Sequence, residues 1–225
     1  MWRHEYLIAP VVEGHGEVDA VPALLNNWFL FRRFVNFRSL DKAVRAPGTK
    51  ALLAPYDRER QLGIEYYVRL AAGSRPDAIL VILDADDECH DRQTRHPYQP
   101  LGPELLERAT GVMAHIPVGV VVTNREFESW FMAGYRRLRT KNLLPYAAHL
   151  PAGLDIESPR DCKGLMTQLM GRTYSPTADQ KEFVRGITFR MYMRQKSGSF
   201  DKLVRELERL TAQARLHRKQ RETLR

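Results

Sequence analysis

The stretch Ile79 to Glu88, ILVILDADDE, constrains this chain more than any other: a run of β-branched and aliphatic side chains ends abruptly in carboxylates. An apolar run without alternation describes a strand buried on both faces, the kind found in a parallel sheet with helices over each side. Its acids then stand at the strand's carboxyl end, where open α/β sheets bind their ligands. Residues two apart in extended backbone face the same way, so Asp84 and Asp86 can aim together at one hard, oxygen-seeking cation. Acids after a strand also make turns and cap helices, so the DxD alone leaves both readings open.

The rest of the chain supplies the sheet. Tyr6 to Glu13 (YLIAPVVE) reads as the first strand, with Pro10 expected either to bend it or to confine full pairing to Val11–Glu13. A glycine turn follows, opening onto Val18, Val21, Leu24, Leu25, Trp28 and Phe29 at helical spacing, and Pro22 favours a helix that begins close to it. Short strands are expected near 35–37 and 43–45, and helix over 49–72 broken near Pro55 and Gly63. The segment from Cys89 to Pro103, rich in proline and charge, predicts an exposed loop beside the acids. Pro103 to His115 predicts a helix, and Val118 to Thr123 (VGVVVT) a second continuous apolar strand. Thr123 and Glu126 have capping-box spacing, which predicts a helix starting there and carrying Phe127, Trp130 and Phe131.

Beyond about residue 140 strand signals stop. The stripe Phe200, Leu203, Leu207, Leu210 and Ala214 repeats at three and four and reads as core packing, followed by a basic tail expected to fray. Strand alternating with helix implies an α/β, Rossmann-like parallel sheet flanked by helices over residues 1–140. Residues 141–225 are then a helical C-terminal extension packed on the same core.

Charge narrows the partners. The formal net charge of +8, from 35 basic and 27 acidic residues, concentrates polyanions and points to nucleic acid. No apolar run approaches the roughly 18 residues that span a bilayer, so no membrane is expected. The first residues lack the pattern of a secretory signal, and two cysteines, Cys89 and Cys162, offer no disulfide framework; a cytoplasmic setting is expected.

Three candidate strand ends carry acids: Glu13, then Asp84 with Asp86, then Glu126 and Glu128. Parallel strands bring such ends to one edge, and converging carboxylates repel unless a cation neutralises them. Glu13 reads as metal ligand or general acid–base. Glu126 reads either as part of a cap or as a second-metal ligand, with Glu128 ranked behind it. Glu17, in the first turn of a helix, fits a cap and a ligand equally. Lys163 and Arg125 are candidates to steady a phosphate. The basic run Arg136, Arg137, Arg139 and Lys141 reads as a phosphate-backbone contact or as a solvated helix face. His15 in the glycine turn is a candidate substrate contact. Cys89, His90 and His96 lack a paired CxxC partner, so zinc is set aside.

VVEG with a glycine turn into a helix, then a hydrophobic strand ending LDADD, resembles the Toprim fold of topoisomerases, primases and nucleases of the overcoming-lysogenization-defect (OLD) class. Over nearly the whole chain, VVEGHGEVDAVPALL, LDADDE, TNREFESWF, DCKGLM, YSPTADQ and SGSFDKL look like an uncharacterised bacterial Toprim-like family, a domain of unknown function. The resemblance implies Mg2+ (or Mn2+) bound by Glu13, Asp84, Asp86 and Glu126. It implies phosphodiester cleavage with Glu13, Asp84, Asp86 and Lys163 as catalytic residues, and a possible ATPase partner in anti-phage defence. The expected function is thus a Mg2+-dependent nuclease. The alternative is a non-catalytic basic subunit that holds nucleic acid or a partner ATPase. Phosphatase chemistry with Asp84 as nucleophile is disfavoured by the acid-bearing first strand and the lack of a threonine-rich second motif.

Overall fold

A computed structural model describes residues 6–85, 101–159 and 161–223, with side chains in the last helix described to residue 219. Asp86 to Glu88 and residues 89–100 of the loop expected over 89–103, with Cys89, His90 and His96, lie outside the described residues, while Leu101 to Pro103 of that loop open a helix instead. In chain order the elements are β1 (Tyr6–Val12), α1 (Glu17–Phe31), β2 (Phe37–Ser39), β3 (Val44–Arg45), α2 (Thr49–Leu53), α3 (Ile64–Ala72) and β4 (Ala78–Asp84). They continue with α4 (Leu101–Val112), β5 (Val118–Thr123), α5 (Ser129–Ala133), α6 (Tyr135–Thr140), α7 (Cys162–Met170), α8 (Pro176–Gly186), α9 (Met191–Arg194) and α10 (Gly198–Thr223).

The apolar runs that announced strands form one parallel sheet in the order β2-β1-β4-β5, with β3 pairing β1 further along. From Ala78 to Leu83, β4 is fully buried, as its lack of alternation required. Even-numbered residues of β1 and β4, such as Ile8, Val12, Leu80 and Ile82, pack with α1, α8 and α10 through Leu24, Trp28, Phe183, Phe200 and Leu207. Odd-numbered ones, such as Val11, Ile79 and Val81, pack with α2, α3 and α4 through Leu52, Ile64, Val68 and Leu105. Each such side chain taken from water contributes roughly 1.5–3 kcal/mol, and burial on both faces is why the strands tolerate no polar residue before their carboxyl ends. The chain is therefore an α/β protein with helices on both sides of a parallel sheet and a long C-terminal helix across one face.

Both prolines are accommodated rather than disruptive. The main-chain groups of Ile8 and Val12 face β2 and β3, where Ile8 C=O accepts from Leu40 N–H and Val12 C=O from Ala46 N–H. Pro10 has the same parity and lies between Ile8, the last residue paired with β2, and Val11, the first paired with β3. Its missing N–H therefore falls in the gap between two partners, and β1 runs unbroken from Tyr6. The helix begins at Glu17, five residues before Pro22, with Glu17 in its first turn as the sequence placed it. Pro22 leaves the carbonyl of Val18, four residues earlier, without its helical donor, and Ala43 N–H supplies one at 2.9 Å.

The stripe from Phe200 to Ala214 is wholly buried, and α10 continues to Thr223 rather than fraying at the basic tail. It crosses β5 closely at Gly119, where a β-carbon would meet the Glu206 and Leu210 side chains within 3 Å. Gly16 permits a second close approach, since a β-carbon there would stand 2.6 Å from the Pro176 backbone at the start of α8. That contact brings α8 against the turn that follows β1. Among the described residues no helix is long and apolar enough to cross a membrane.

Candidate active site

The chain leaves β1 toward β2 on one side and returns to β4 on the other. Such a reversal opens a crevice beyond the carboxyl ends of the two central strands. Glu13, the residue after β1, is nearly buried there: one carboxylate oxygen accepts the Asp84 N–H at 2.7 Å, and the other accepts the hydroxyl of Thr49 at the start of α2. Asp84 ends β4, and its Oδ1 accepts the Thr123 hydroxyl at 2.7 Å from the neighbouring end of β5. Three strand ends and one helix start are thus tied through two carboxylates.

Thr123 was expected to cap a helix with Glu126. It is instead the last residue of β5, and α5 begins at Ser129. The hydroxyl is spent on Asp84, while the Glu126 carboxylate accepts from Lys163 Nζ at 3.0 Å and Cys162 N–H at 3.4 Å. Both side chains of the expected capping box thereby serve the crevice.

Two further acids complete the cluster: Glu17, whose sequence position fits a cap and a ligand equally, and Glu128, which the sequence ranks behind Glu126. Glu17, first residue of α1, is 4% exposed, and its Oε2 accepts the Gly14 N–H at 3.3 Å. Glu128, just before α5, is fully buried. Its Oε1 accepts from the Tyr174 hydroxyl and the Gln180 amide, each at 3.0 Å. Its Oε2 is buried without a hydrogen-bond partner, and Lys163 Nζ stands 3.8 Å away. Its place between Phe127 and the Trp130–Phe131 pair was the local sign of Glu128's burial.

These groups share one electrostatic field. Burial, then Glu13, pushes the Glu17 carboxyl up to about 7. Burial, Glu17 and Glu13 drive Asp84 well above the usual carboxylate range, against the lowering effect of its Thr123 hydrogen bond. Partial burial pulls Lys163 down, but Glu128, Glu126 and Asp84 outweigh it and hold the ammonium above its ordinary value. Burial and then Glu126, Glu128 and Asp84 push the Cys162 thiol up to about 12. Of these five carboxylates, Glu126 and Glu128 stand nearest the Lys163 ammonium, at 3.0 and 3.8 Å.

Sequence placed Glu13, Asp84, Glu126 and Lys163 in one site, and all four line or border this crevice. Asp86 is outside the described residues. Arg125 occupies the turn after β5 with φ of 71°, a left-handed conformation unusual for arginine. Arg136, Arg137 and Arg139 lie on α6, with Lys141 at its C-terminal cap. His15 lies in the exposed turn between Glu13 and Glu17.

Among the described residues, no three His, Cys, Asp or Glu side chains are already arranged to hold a metal ion. The donor set nevertheless fits a hard divalent cation: every donor is a carboxylate oxygen, the acids raise one another's pKa, and one buried oxygen of Glu128 is unsatisfied.

No family model matches the chain, so its expected membership of an uncharacterised Toprim-like family has no such support. No curated protein matches it either. Among solved structures, the C-terminal region of the OLD protein of Xanthomonas campestris pv. campestris, phased with platinum, is similar at 12% identity and a TM-score of 0.40. The match covers 94% of this chain and 97% of that one. The α/β assignment rests on sheet order and register.

Proposed function

We propose that this chain is a Mg2+- or Mn2+-dependent nuclease of the Toprim-like kind. The observation that carries the reading is the buried, mutually repelling carboxylate cluster at the switch point of a parallel sheet in a basic protein. Such a cluster opposes folding unless it serves a cation or a proton. Glu13 and Asp84, with Asp86 two residues on and Glu126 or Glu128 across the crevice, would hold the ion. When bound, the ion supplies Lewis-acid polarisation of a phosphoryl oxygen and a lowered pKa for its water.

The chain's own groups do the rest. Thr49 and the Asp84 N–H fix both oxygens of Glu13, and Thr123 fixes Asp84, so neither carboxylate must reorganise on binding. Glu17, at about 7, can hold or release a proton at its carboxyl near neutral pH. Lys163, whose side chain is half exposed and whose Nζ is already among acids, offers its charge to a phosphate oxygen at the mouth of the site.

The test is calorimetric Mg2+ and Mn2+ binding to wild type and Asp84→Ala, followed by cleavage assays on DNA and RNA. Ion binding and cleavage that both fall more than about a hundredfold in the variant support the reading, since even groups that only orient a metal ligand cost 10–100-fold. Wild-type-like cleavage by Asp84→Ala would sink it. A partner ATPase in anti-phage defence belongs to the same proposal, and ATP-dependent stimulation of cleavage on co-expression is its check. The second reading, a binding subunit without catalysis, is favoured by the unpaired basic groups of α6. Salt-sensitive nucleic-acid binding that survives both chelation and Asp84→Ala, with no cleavage by wild type, would select it.

A further inference from the structure

We infer that the face formed by α6 and the 187–196 segment is a stacking platform for single-stranded nucleic acid, with Tyr146 and Tyr192 receiving bases and the surrounding cations receiving phosphates. The inference rests on nucleic acid being the ligand, and it names the strand state and the residues that read it.

The two segments share one face because their backbones pack closely. A β-carbon on Gly186 would meet Leu143 and Leu138 within 3 Å, and one on Gly134 would meet Ile187 at 3.0 Å and Met193 at 3.3 Å. Leu138 and Met193, both fully buried, are the inner side of this contact. The outer side carries Arg136, Arg137, Lys141, Arg190 and Lys196, all exposed, together with half-buried Arg139. Arg136, Arg139 and Lys196 all act on the Tyr135 phenol, and Arg137 and Arg190 both act on Tyr192, so these cations form one field rather than scattered charges.

Some arginines elsewhere meet carboxylates, as in Arg32–Glu208, Arg172–Asp179 and Arg185–Glu182, so an exposed cation in this molecule often has an acid beside it. Among the described residues, none of the six cations named here lies within ion-pair distance of an acid. Arg139 Nε is buried without a partner, and its guanidinium sits 4.8 Å from the Tyr146 ring centroid. Tyr146 is 89% exposed, and Met191 and Tyr192 are exposed on the 187–196 segment.

Uncompensated cations alone would fit any polyanion, duplex included. The aromatic rings decide for a single strand, because a base presents its face to a tyrosine only when it is out of the duplex stack. An arginine already seated on one face of Tyr146 leaves the other face for a base and adds a cation–π contribution.

The test measures fluorescence anisotropy in EDTA, with labelled oligothymidylate of about 15 nucleotides and a hairpin duplex as probes. Wild type is expected to prefer the single strand. Tyr146→Ala with Tyr192→Ala should weaken it by at least about tenfold with little change for the duplex, while the Tyr→Phe pair should bind normally. Arg136→Ala with Arg137→Ala should weaken both probes and reduce the log–log salt slope by about 1.4, at roughly 0.7 per lost phosphate contact. Equal affinity for both probes, single-strand binding unaffected by the tyrosine pair, or poly-glutamate competing as well as oligonucleotide would each overturn the platform. Because no metal is present, failure here is distinct from failure of the nuclease reading. Tyrosine-independent cleavage of duplex would remove the platform and leave the nuclease, whereas binding without cleavage in Mg2+ would do the reverse.

Discussion

Carboxylates occupy two kinds of place in this molecule, and the same side chain behaves oppositely in them. Glu65 on α3 takes Arg108 on both oxygens at 2.8 Å, and Arg108 spends its remaining donors on the carbonyls of Leu53 and Ala54. Glu157 accepts from Ser197, Gly198 and Ser199 and so closes the N-terminal end of α10. Burial alone would raise both, yet Arg108 holds Glu65, and the serine and backbone donors hold Glu157, below the usual range. In the crevice, burial wins instead: Glu17 and Asp84 rise because their nearest charged neighbours are other acids. A carboxylate kept for structure is supplied with donors. Glu17 and Asp84 receive too few to offset their burial, which is a cost the fold bears for a ligand or a proton.

The largest effect that would break this contrast lies on the structural side. Arg108→Met strands a largely buried Glu65 and two carbonyls, and should destabilise the protein by about 2–3 kcal/mol at pH 7, read by urea unfolding. The figure is placed below that of a fully buried pair because both side chains keep some exposure, 21% and 13%. A neutral result would mean that the pair does not organise the α2–α4 face.

Next comes a substitution with the opposite sign. Glu17 has a folded-state pKa raised from 4.5 to about 7, so its contribution is intact below 4.5 and is lost as pH rises through 7. Glu17→Gln, which resembles the protonated form, should match wild type at pH 4 and be more stable at pH 8 by about 1–2 kcal/mol, within the roughly 3 kcal/mol that such a shift can carry. Saturating Mg2+ should shrink the difference by stabilising wild type more than the variant. Thermal unfolding at the two pH values, with and without Mg2+, reads all three statements. A variant that is less stable at pH 8 would make Glu17 a structural acid like Glu65.

Glu157→Gln sharpens the other arm. A lowered folded-state pKa gives stability present above 4.5 and lost as pH falls through the folded value. The variant should be about 1 kcal/mol less stable than wild type at pH 7, the scale of a lost helix cap, and should converge with it in acid. Opposite pH trends for Glu17→Gln and Glu157→Gln are the signature of the contrast.

Much of the fold was legible because it depends on local pattern. The unbroken runs at Ile79–Leu83 and Val118–Val122 could only be doubly covered strands, and their order with intervening helices fixed a parallel sheet whose acid-bearing ends must meet. What was hidden depends on distant partners. Glu128 is recognisable as a site acid only through Tyr174 and Gln180, 46 and 52 residues away, and Thr49 reaches Glu13 across 36. Thr123 shows how a local rule loses to tertiary context: its main chain stays in β5, paired with Asp84, so no helical N–H follows at the right spacing for its oxygen to cap, and its proton goes to the Asp84 carboxylate. Pro22 is the same lesson in backbone form, since the donor that rescues Val18, Ala43, comes from the far side of β2.

The smallest effect probes the acidic field directly. Cys162, first residue of α7, has its thiol pushed up to about 12, by burial first and then by Glu126, Glu128 and Asp84. At pH 8 about one molecule in ten thousand would carry the thiolate, against about a quarter for a free cysteine, so iodoacetamide should spare Cys162 in the native protein and modify it in denaturant. Mass spectrometry of the peptide that contains it separates it from Cys89. Because burial dominates, Glu126→Gln should quicken the reaction only a few-fold, and by more than Asp84→Asn, whose charge ranks behind it. Mg2+ should act in the same direction on wild type, since a bound cation cancels part of the field that suppresses the thiolate, and it should have less effect once Asp84 is neutral. Acceleration by Mg2+ that ignored Asp84 would place the ion elsewhere, and the contrast between donor-rich and donor-poor carboxylates would lose its functional meaning while keeping its structural one.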